Sequence, residues 1–526
     1  MSLTFSQKLS ALQSFKLTEM MTGKKIGLEK ECLRVSDQGT ISTTSHPVAL
    51  GSALTNPYIT TDYGEALLEL ITDPMDTAEE ALRSLQDTQK FVYQNLQNEI
   101  LWNTSMPCVL TGEESIRIAE YGRSNAGTMK TVYRRGLGHR YGKMMQVIAG
   151  IHYNYSLPQS FWEKYQSIVK NTAPLTDFTS DCYMHMTRNL QRFGWLIPYL
   201  FGASPAVCRS FMNGIEKILE PFDDYTFYHK YATSLRLSDI GYQNYKEGKS
   251  GIKANYDSIA SYIRTLRCAI ETPCEAYEKI GLTKDGVYQQ LNTNLLQIEN
   301  EYYSTVRPKQ ITGKYEKPTV ALSKRGIAYL ELRSLDVNVF EPMGIGETQL
   351  HFLEVFMLFC LLQDSPVINS TEQKEIDSNQ SVTAHHGREP GLKLQHQGKP
   401  ILLSAWAMKI VQSMLEICEL LDDDNEQGSY GTALNAALAS IEDPDQTPSA
   451  RILAEMTQNE EPFHPFSMRH ARQNAEYFDS LTLSEEKMRF FEEIAEQSLK
   501  NQRQLEETDT LSFPEFLHEY FAETLE

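Results

Sequence analysis

The chain has 526 residues, of which 41% are apolar and 22% are charged, and its formal net charge is −20. This acidic balance argues against broad binding to nucleic acids or anionic membranes, because the surplus of lysines and arginines that would neutralise phosphates is missing. No stretch approaches ~20 uncharged apolar residues, so we expect no membrane-spanning helix. The first residues also lack the basic and apolar regions of a secretory signal.

The eight cysteines are scattered along the chain, and none forms a Cys-x-x-Cys pair. This spacing argues against a disulfide scaffold and against a zinc ribbon. We therefore expect reduced thiols and a cytoplasmic protein.

Periodicity and end signals predict the secondary structure in chain order. The first part is expected to hold a helix over 1–20, strands and turns over 25–72, a helix over 76–100 and a strand at the end of 143–157. Further along we expect helices over 180–202 and 255–280, a strand over 325–339 and a helix over 347–364.

The chain changes character towards its C-terminal end. From about 401 onward helical periodicity dominates, and Thr482 with Glu485 predicts a capping box for a helix that ends near 507. The polar segment 365–400 is the best candidate connector. We therefore predict a mixed α+β region over 1–400 and a helical section over 401–526 packed on it.

Two apolar segments near the start of the chain carry acids. In the predicted strand 26–35, Glu29 and Glu31 share a face because strand side chains alternate. Two neighbouring carboxylates repel each other, so they indicate either a solvated strand edge or a bound cation. Glu69 lies within the apolar run LLELI, whether that run is extended or helical. Acids are rarely buried unless they are paired or bound to a metal.

Two later segments carry a histidine and an arginine. In the predicted strand 150–157, His152 shares a face with Asn154, as a structural residue or as a ligand. In the segment 328–336, Glu331 and Arg333 share a face. They form either a simple ion pair or a metal-binding carboxylate beside an arginine that contacts a phosphate.

Together, the four segments present acids, a histidine and an arginine towards one polar surface. Such a surface fits a cleft for Mg²⁺ and a nucleoside triphosphate, because Mg²⁺ binds through a few carboxylates and substrate phosphates. The sequence has no G-x-x-x-x-G-K-[ST] loop and no convincing G-x-G-x-x-G motif. We therefore expect metal and arginine to hold any bound ATP, and a metal-dependent phosphohydrolase fits the same pattern.

Longer blocks of sequence narrow the class of enzyme beyond a cleft for Mg²⁺ and a nucleoside triphosphate. They are GLEKECLRV, ITTDYGEALLELIT, SMPC, GIHYNYSLP, RFGWLIPYLFGASPAVC, YATSLRLSDIGY, LQIENEYYSTVRP, YLELRSLDVNVF and PSARIL. In this order they resemble the proteobacterial type of glutamate–cysteine ligase. The resemblance is dense over residues 25–360 and thin after 365.

The resemblance implies an α+β, glutamine-synthetase-like catalytic fold, in which a curved antiparallel sheet forms a funnel with helices around it. It also implies a reaction in which ATP phosphorylates the side-chain carboxylate of L-glutamate and the amine of L-cysteine then displaces phosphate. The ion would be Mg²⁺, with Mn²⁺ as an alternative, and glutathione is a candidate feedback inhibitor. A ligase of the same fold with another amine acceptor remains an alternative.

The resemblance further assigns residues to roles. The implied metal ligands are Glu29, Glu31, Asp62, Glu69, His152 and Glu331. Arg333 would lie against the transferring phosphoryl group, with Glu331 as its catalytic partner, and Arg236 would hold a substrate carboxylate. The implied cysteine pocket is formed by Tyr63, Tyr133, Leu137, Gln146, Tyr242 and Tyr303.

The sequence departs from the family pattern at two positions. Cys32 stands where the family carries threonine, and Tyr63 stands where it carries phenylalanine. We expect Cys32 to be structural, because it points away from the face of Glu31. Tyr63 adds a hydroxyl group beside Asp62, which puts the strict preference for cysteine in question.

Overall fold

A sheet of seven antiparallel strands lies at the centre of the protein, in a computed structural model that describes residues 3–107, 109–212, 219–241, 253–422 and 428–523. The strands are β1 Lys25–Ser36, β2 Ile59–Thr61, β3 Leu67–Ile71, β4 Glu99–Leu101, β5 Ile151–Ser156, β6 Ala206–Cys208, β7 Glu220–Pro221, β8 Thr226–Tyr228, β9 Thr283–Lys284, β10 Val287–Tyr288, β11 Val306–Lys309, β12 Tyr329–Leu335, β13 Lys393–His396 and β14 Lys399–Leu402. The central sheet has the order β11-β12-β5-β1-β3-β2, and β4 pairs with the end of β1. The other strands form small sheets at its periphery.

Helices surround this sheet. They are α1 Phe5–Ser14, α2 Leu17–Met20, α3 Ala78–Asn95, α4 Asn125–Tyr141, α5 Gln159–Ile168, α6 Leu175–Phe193, α7 Leu196–Phe201, α8 Arg209–Met212, α9 Ile259–Glu271, α10 Glu275–Glu278, α11 Pro318–Arg325, α12 Glu347–Leu362, α13 Ser370–His386, α14 Leu403–Gln412, α15 Leu415–Asp422, α16 Ser429–Glu442, α17 Pro448–Gln458, α18 Phe463–Ser480, α19 Glu485–Thr508 and α20 Phe513–Ala522. None of the helices in the described residues is long and apolar enough to cross a membrane.

The two faces of the central sheet have different surroundings. On β1, Lys30 points away from Glu29 and Glu31 and is buried against Gln89 of α3, to which its ammonium donates a hydrogen bond of 2.9 Å. Beyond its first turn helix α12 is largely apolar and is buried on all sides, as expected for a helix inside a large core. One face of the sheet therefore packs on helices, and the opposite face is free to form a polar site.

Most predicted elements are present. The run LLELI is the strand β3, and Thr77 caps α3 by accepting a hydrogen bond from the backbone N–H of Glu80 at 3.1 Å. The predicted capping box is wrong, because Ser484 caps α19 instead of Thr482. The predicted connector contains the helix α13 and the β13–β14 hairpin.

The cysteines within the described part of the chain are all free thiols. Cys32 is fully buried in β1, where it lies opposite Leu68 of β3. Burial raises the pKa of Cys32 to about 11. Its environment is that of a structural residue rather than a reactive thiol.

Candidate active site

Acidic side chains from neighbouring strands line one face of the central sheet, here called the acid wall and defined by Glu29, Glu31, Asp62, Glu69, His152 and Glu331. Strand register brings them together: Glu29 lies opposite His152, and Glu31 lies opposite Glu69. Directly opposed residues in antiparallel strands share a face. These six residues come from β1, β3, β5, β12 and the turn after β2.

The centre of the acid wall is a histidine between carboxylates. The Nδ1 atom of His152 lies 2.8 Å from Oε2 of Glu29 and 3.9 Å from Oε1 of Glu331. Glu29 also accepts a hydrogen bond of 2.8 Å from Nδ2 of Asn154. The potential ligand atoms of Glu29, His152 and Glu331 all lie within 4.8 Å of one another. Burial acts to raise the pKa of Glu29, but the hydrogen bond to His152 together with the charges of His152 and Lys309 outweighs it, so the pKa is lowered.

Negative charge accumulates at the next pair of strands. Glu31 accepts a hydrogen bond of 2.7 Å from the backbone N–H of Gly150, and its Oε1 atom lies 3.6 Å from Nε2 of His152. Burial raises the pKa of Glu31. Burial, followed by repulsion from Glu29 and Asp62, raises the pKa of Glu69 well above its ordinary value. Burial is the main cause of both shifts, and at Glu69 the neighbouring carboxylates add to it.

Basic residues adjoin the acid wall on the β11–β12 side. The Nη1 atom of Arg333 lies 3.3 Å from Oε1 of Glu331, and Nζ of Lys309 lies 3.5 Å from the same oxygen. Although burial acts in the opposite direction, these two cations lower the pKa of Glu331. The other oxygen of Glu331, Oε2, is buried and has no hydrogen-bond partner within the described residues.

A pocket opens in front of the acid wall. It is lined by Glu31, Asp62, His152 and Arg333, together with Arg236 and the predicted pocket residues Tyr63, Tyr133, Leu137, Gln146 and Tyr303. Arg236 is buried, and its guanidinium donates a hydrogen bond of 2.9 Å to the backbone carbonyl of Arg333. Tyr242 lies outside the described residues. The hydroxyl of Tyr63 is buried without a hydrogen-bond partner in the described part of the chain.

The donor set of the acid wall fits divalent cations. It combines several carboxylates, with Glu31 directly opposite Glu69, and an unpaired buried oxygen at Glu331. Unpaired buried polar atoms are rare in native structures and indicate a missing partner. Hard divalent ions prefer oxygen ligands of this kind, and cationic Arg333 and Lys309 suit the oxygens of a phosphate group.

Comparisons with known proteins bear on the identity of the chain. The family model described as Glutamate-cysteine ligase matches residues 9–383. A glutamate–cysteine ligase from Pseudomonas putida is 46% identical over 499 residues, which are 95% of each chain. The chain belongs to the glutamate–cysteine ligase family. Another member of this family, from Pseudomonas paraeruginosa, is 44% identical over 525 residues, or 100% of this chain and 99% of that one.

Solved structures support membership of the glutamate–cysteine ligase family. The crystal structure of a glutamate–cysteine ligase from Francisella tularensis in complex with AMP is 35% identical, with a TM-score of 0.89. The match covers 95% of this chain and 97% of that chain. A bifunctional glutathione synthetase from Pasteurella multocida shares the fold at 24% identity, with a TM-score of 0.74 over 93% of this chain and 58% of the larger one.

Some basic residues in or beside the pocket of this family member had no role in the sequence prediction. Lys309 and Arg307 lie two residues apart on β11, and Arg307 is directly opposite Glu331. Arg134 of α4 also lines the pocket. The alternation of Arg307 and Lys309 in the run VRPK was the available signal. It was overlooked because Pro308 makes this run resemble a loop.

Proposed function

We propose that this protein joins the γ-carboxylate of L-glutamate to the amine of L-cysteine with hydrolysis of ATP to ADP and phosphate, the first step of glutathione biosynthesis. The observation that carries this proposal is the acid wall beside Arg333 and Lys309, in a chain of the glutamate–cysteine ligase family. We also propose that the central sheet is of the glutamine-synthetase type, with residues 1–400 forming the catalytic region and 401–526 a helical section.

The metal ligands in this proposal are Glu29, Glu31, Asp62, Glu69, His152 and Glu331. Mg²⁺ is the expected ion, with Mn²⁺ as an alternative, because carboxylates dominate the donor set. When bound, Mg²⁺ neutralises charge on the triphosphate during phosphoryl transfer. A bound cation would relieve the repulsion among these carboxylates, so we expect the acid wall to bind cations before any substrate is bound.

The remaining charged residues orient the reaction. An oxygen of the glutamate γ-carboxylate attacks the γ-phosphorus of ATP, the bond to ADP breaks, and γ-glutamyl phosphate forms. In this proposal Arg333 holds the transferred phosphoryl group, since its planar fork matches two phosphate oxygens. Arg236 is buried beside Arg333, and in this proposal it holds a carboxylate of glutamate. The amine of cysteine then attacks the acyl carbon, loses a proton, and releases phosphate.

The acceptor pocket is the part of the site with aromatic walls. Tyr63, Tyr133 and Tyr303 are assigned to it together with Leu137, Gln146 and Tyr242. An apolar and aromatic lining with few polar groups suits a small amino acid with a thiol side chain. The buried hydroxyl of Tyr63 distinguishes this pocket from the family pattern, which has phenylalanine at this position. The selectivity for cysteine over other amines is therefore the part of the proposal that needs its own measurement.

The test is release of ADP with each substrate omitted in turn. We expect ADP and γ-glutamylcysteine only when ATP, Mg²⁺, glutamate and cysteine are all present. Release of ADP that does not depend on glutamate would instead indicate a phosphohydrolase. Faster turnover with another amine than with cysteine would indicate a different acceptor.

Inhibition by glutathione is part of the same proposal, because this tripeptide contains the γ-glutamylcysteine product. We expect it to compete with glutamate at the pocket of Arg236. Measurement of the glutamate KM at increasing glutathione tests this point, and a KM that stays constant would refute it.

A further inference from the structure

A second group of potential metal ligands lies where two helices begin. Glu79 is in the first turn of α3, Glu347 is in the first turn of α12, and His351 follows one turn later. Their ligand atoms all lie within 4.8 Å of one another. Lys30 contacts α3 from the sheet face opposite to Glu29 and Glu31, so this group is separate from the acid wall.

The two carboxylates of this group lack a balancing cation. An oxygen of Glu79 lies within 4.8 Å of an oxygen of Glu347. Within the described residues, neither forms an ion pair with a lysine or arginine. The N-terminal ends of α3 and α12 favour negative charge, but two adjacent carboxylates still repel each other.

His351 is the independent observation that points to a ligand. Its side chain is only 6% exposed, and its ring forms no hydrogen bond with any residue that the structure describes. The ring packs against Tyr430 at a centroid distance of 4.9 Å. The hydroxyl of Tyr430 is occupied by Glu354, which also forms an ion pair with Lys24. Lys24 is therefore already paired with Glu354, and a ring nitrogen of the buried His351 lies within 4.8 Å of a carboxylate oxygen of both Glu79 and Glu347.

We propose that Glu79, Glu347 and His351 bind a divalent transition-metal ion of the Zn²⁺ type and thereby link the N-terminal ends of α3 and α12. One imidazole and two carboxylates form a ligand set that such ions accept, with water in the remaining position. Glu347 and His351 are four residues apart on one helix, so they share a face. Donors of a tetrahedral zinc site are about 3.3 Å apart, and the exposed side chains of Glu79 and Glu347 are free to close to that distance.

The test is titration of the full-length protein with Zn²⁺, followed by calorimetry, in saturating Mg²⁺ and a non-hydrolysable ATP analogue that occupy the acid wall. We expect one Zn²⁺ per chain that His351→Gln and Glu347→Gln bind at least about tenfold more weakly. His518→Gln, which alters an exposed histidine of α20, is the matched control and should bind as the original protein does. Equal Zn²⁺ affinity in all four proteins would overturn the proposal.

Thermal unfolding gives a second test, which does not require substitution of the buried His351. Zn²⁺ should raise the melting temperature of the original protein and of His518→Gln, because a ligand that binds only the folded state stabilises it. Glu79→Gln changes an exposed side chain and should abolish this rise without impairing folding. The alternative is that a protonated His351 only balances the charge of the two carboxylates. In that case His351→Arg will preserve stability, and Zn²⁺ will not change the melting temperature of the original protein. This result would also refute the metal site.

Discussion

Replacement of Arg333 by lysine tests the proposed role of the arginine beside the acid wall. The side chain of Arg333 is 18% exposed, and its Nη1 atom lies 3.3 Å from Glu331. Lysine keeps the positive charge, so it can still pair with Glu331. It cannot present two donors in a plane to two oxygens of a phosphoryl group. The backbone carbonyl that accepts the hydrogen bond from Arg236 is unchanged by the substitution.

The size of the effect follows from the lost donor. A hydrogen bond to a charged group contributes about 1.5–3 kcal/mol, and about 1.4 kcal/mol corresponds to a tenfold change in rate. We therefore expect Arg333→Lys to lower kcat by about 10- to 150-fold. If the lost contact forms mainly in the transition state, the KM for ATP should change much less than kcat.

The assay is glutamate- and cysteine-dependent ADP release under saturating Mg²⁺, with the melting temperature as a check on folding. Arg325→Lys is the matched control, because Arg325 pairs with Glu316 on the surface at 44% exposure and faces no pocket residue. It should leave kcat unchanged. A kcat for Arg333→Lys within about threefold of the original, with an unchanged melting temperature, would refute the assigned role.

Three further predictions concern single side chains. Glu331→Gln should lower kcat by at least about 100-fold, since it leaves Lys309 and Arg333 unbalanced and removes a ligand; near-normal turnover at saturating Mg²⁺ would contradict this. Tyr63→Phe should raise the KM for cysteine about two- to tenfold if the buried hydroxyl contacts the acceptor, with the KM for ATP as internal control. His46→Gln should flatten the dependence of stability on pH. Burial lowers the pKa of His46 to about 4, so stability that is present above pH 6.5 is lost between pH 6.5 and 4, by up to about 3 kcal/mol. Parallel unfolding curves for the two proteins across this range would rule out that contribution.

The faces of the catalytic strands were predictable because alternation is a local property of an extended chain. Glu29 with Glu31, and Glu331 with Arg333, share faces as the sequence predicted. The order β12-β5-β1-β3 was not predictable from residue types, because it depends on pairing between segments far apart in the chain. Only that order brings Glu331 within 3.9 Å of His152.

Two errors or omissions had local causes. Thr482 and Glu485 match the capping-box spacing, but Ser484 is the residue whose hydroxyl accepts the backbone N–H of Lys487 at 3.2 Å. Two capping residues so close together cannot be ranked from the pattern alone. Helix α13 was missed because its surface is polar and lacks the apolar periodicity that reveals a helix.

Pro308 explains why the basic residues of β11 were overlooked. Proline has no backbone N–H for a ladder, so it is confined to edge strands, and β11 is the edge of the central sheet. An edge strand with Pro308 at its third position can still direct Arg307 and Lys309 to the face of Glu331. A short run in which cations alternate around a proline is therefore compatible with an edge strand beside an acidic strand.

Glu31 and Glu69 lie directly opposite each other on β1 and β3, so the repulsion between their carboxylates opposes pairing of the two strands. Like charges placed directly opposite each other in antiparallel strands are destabilising. In this protein the strands are held in register by their other faces, where Cys32 and Lys30 are buried against the helical layer and against β3. The fold therefore fixes the carboxylates in place before a cation is present, and the cation that we propose for this site would relieve their repulsion. On this proposal the affinity for the ion comes from the sheet, which keeps the acids from moving apart.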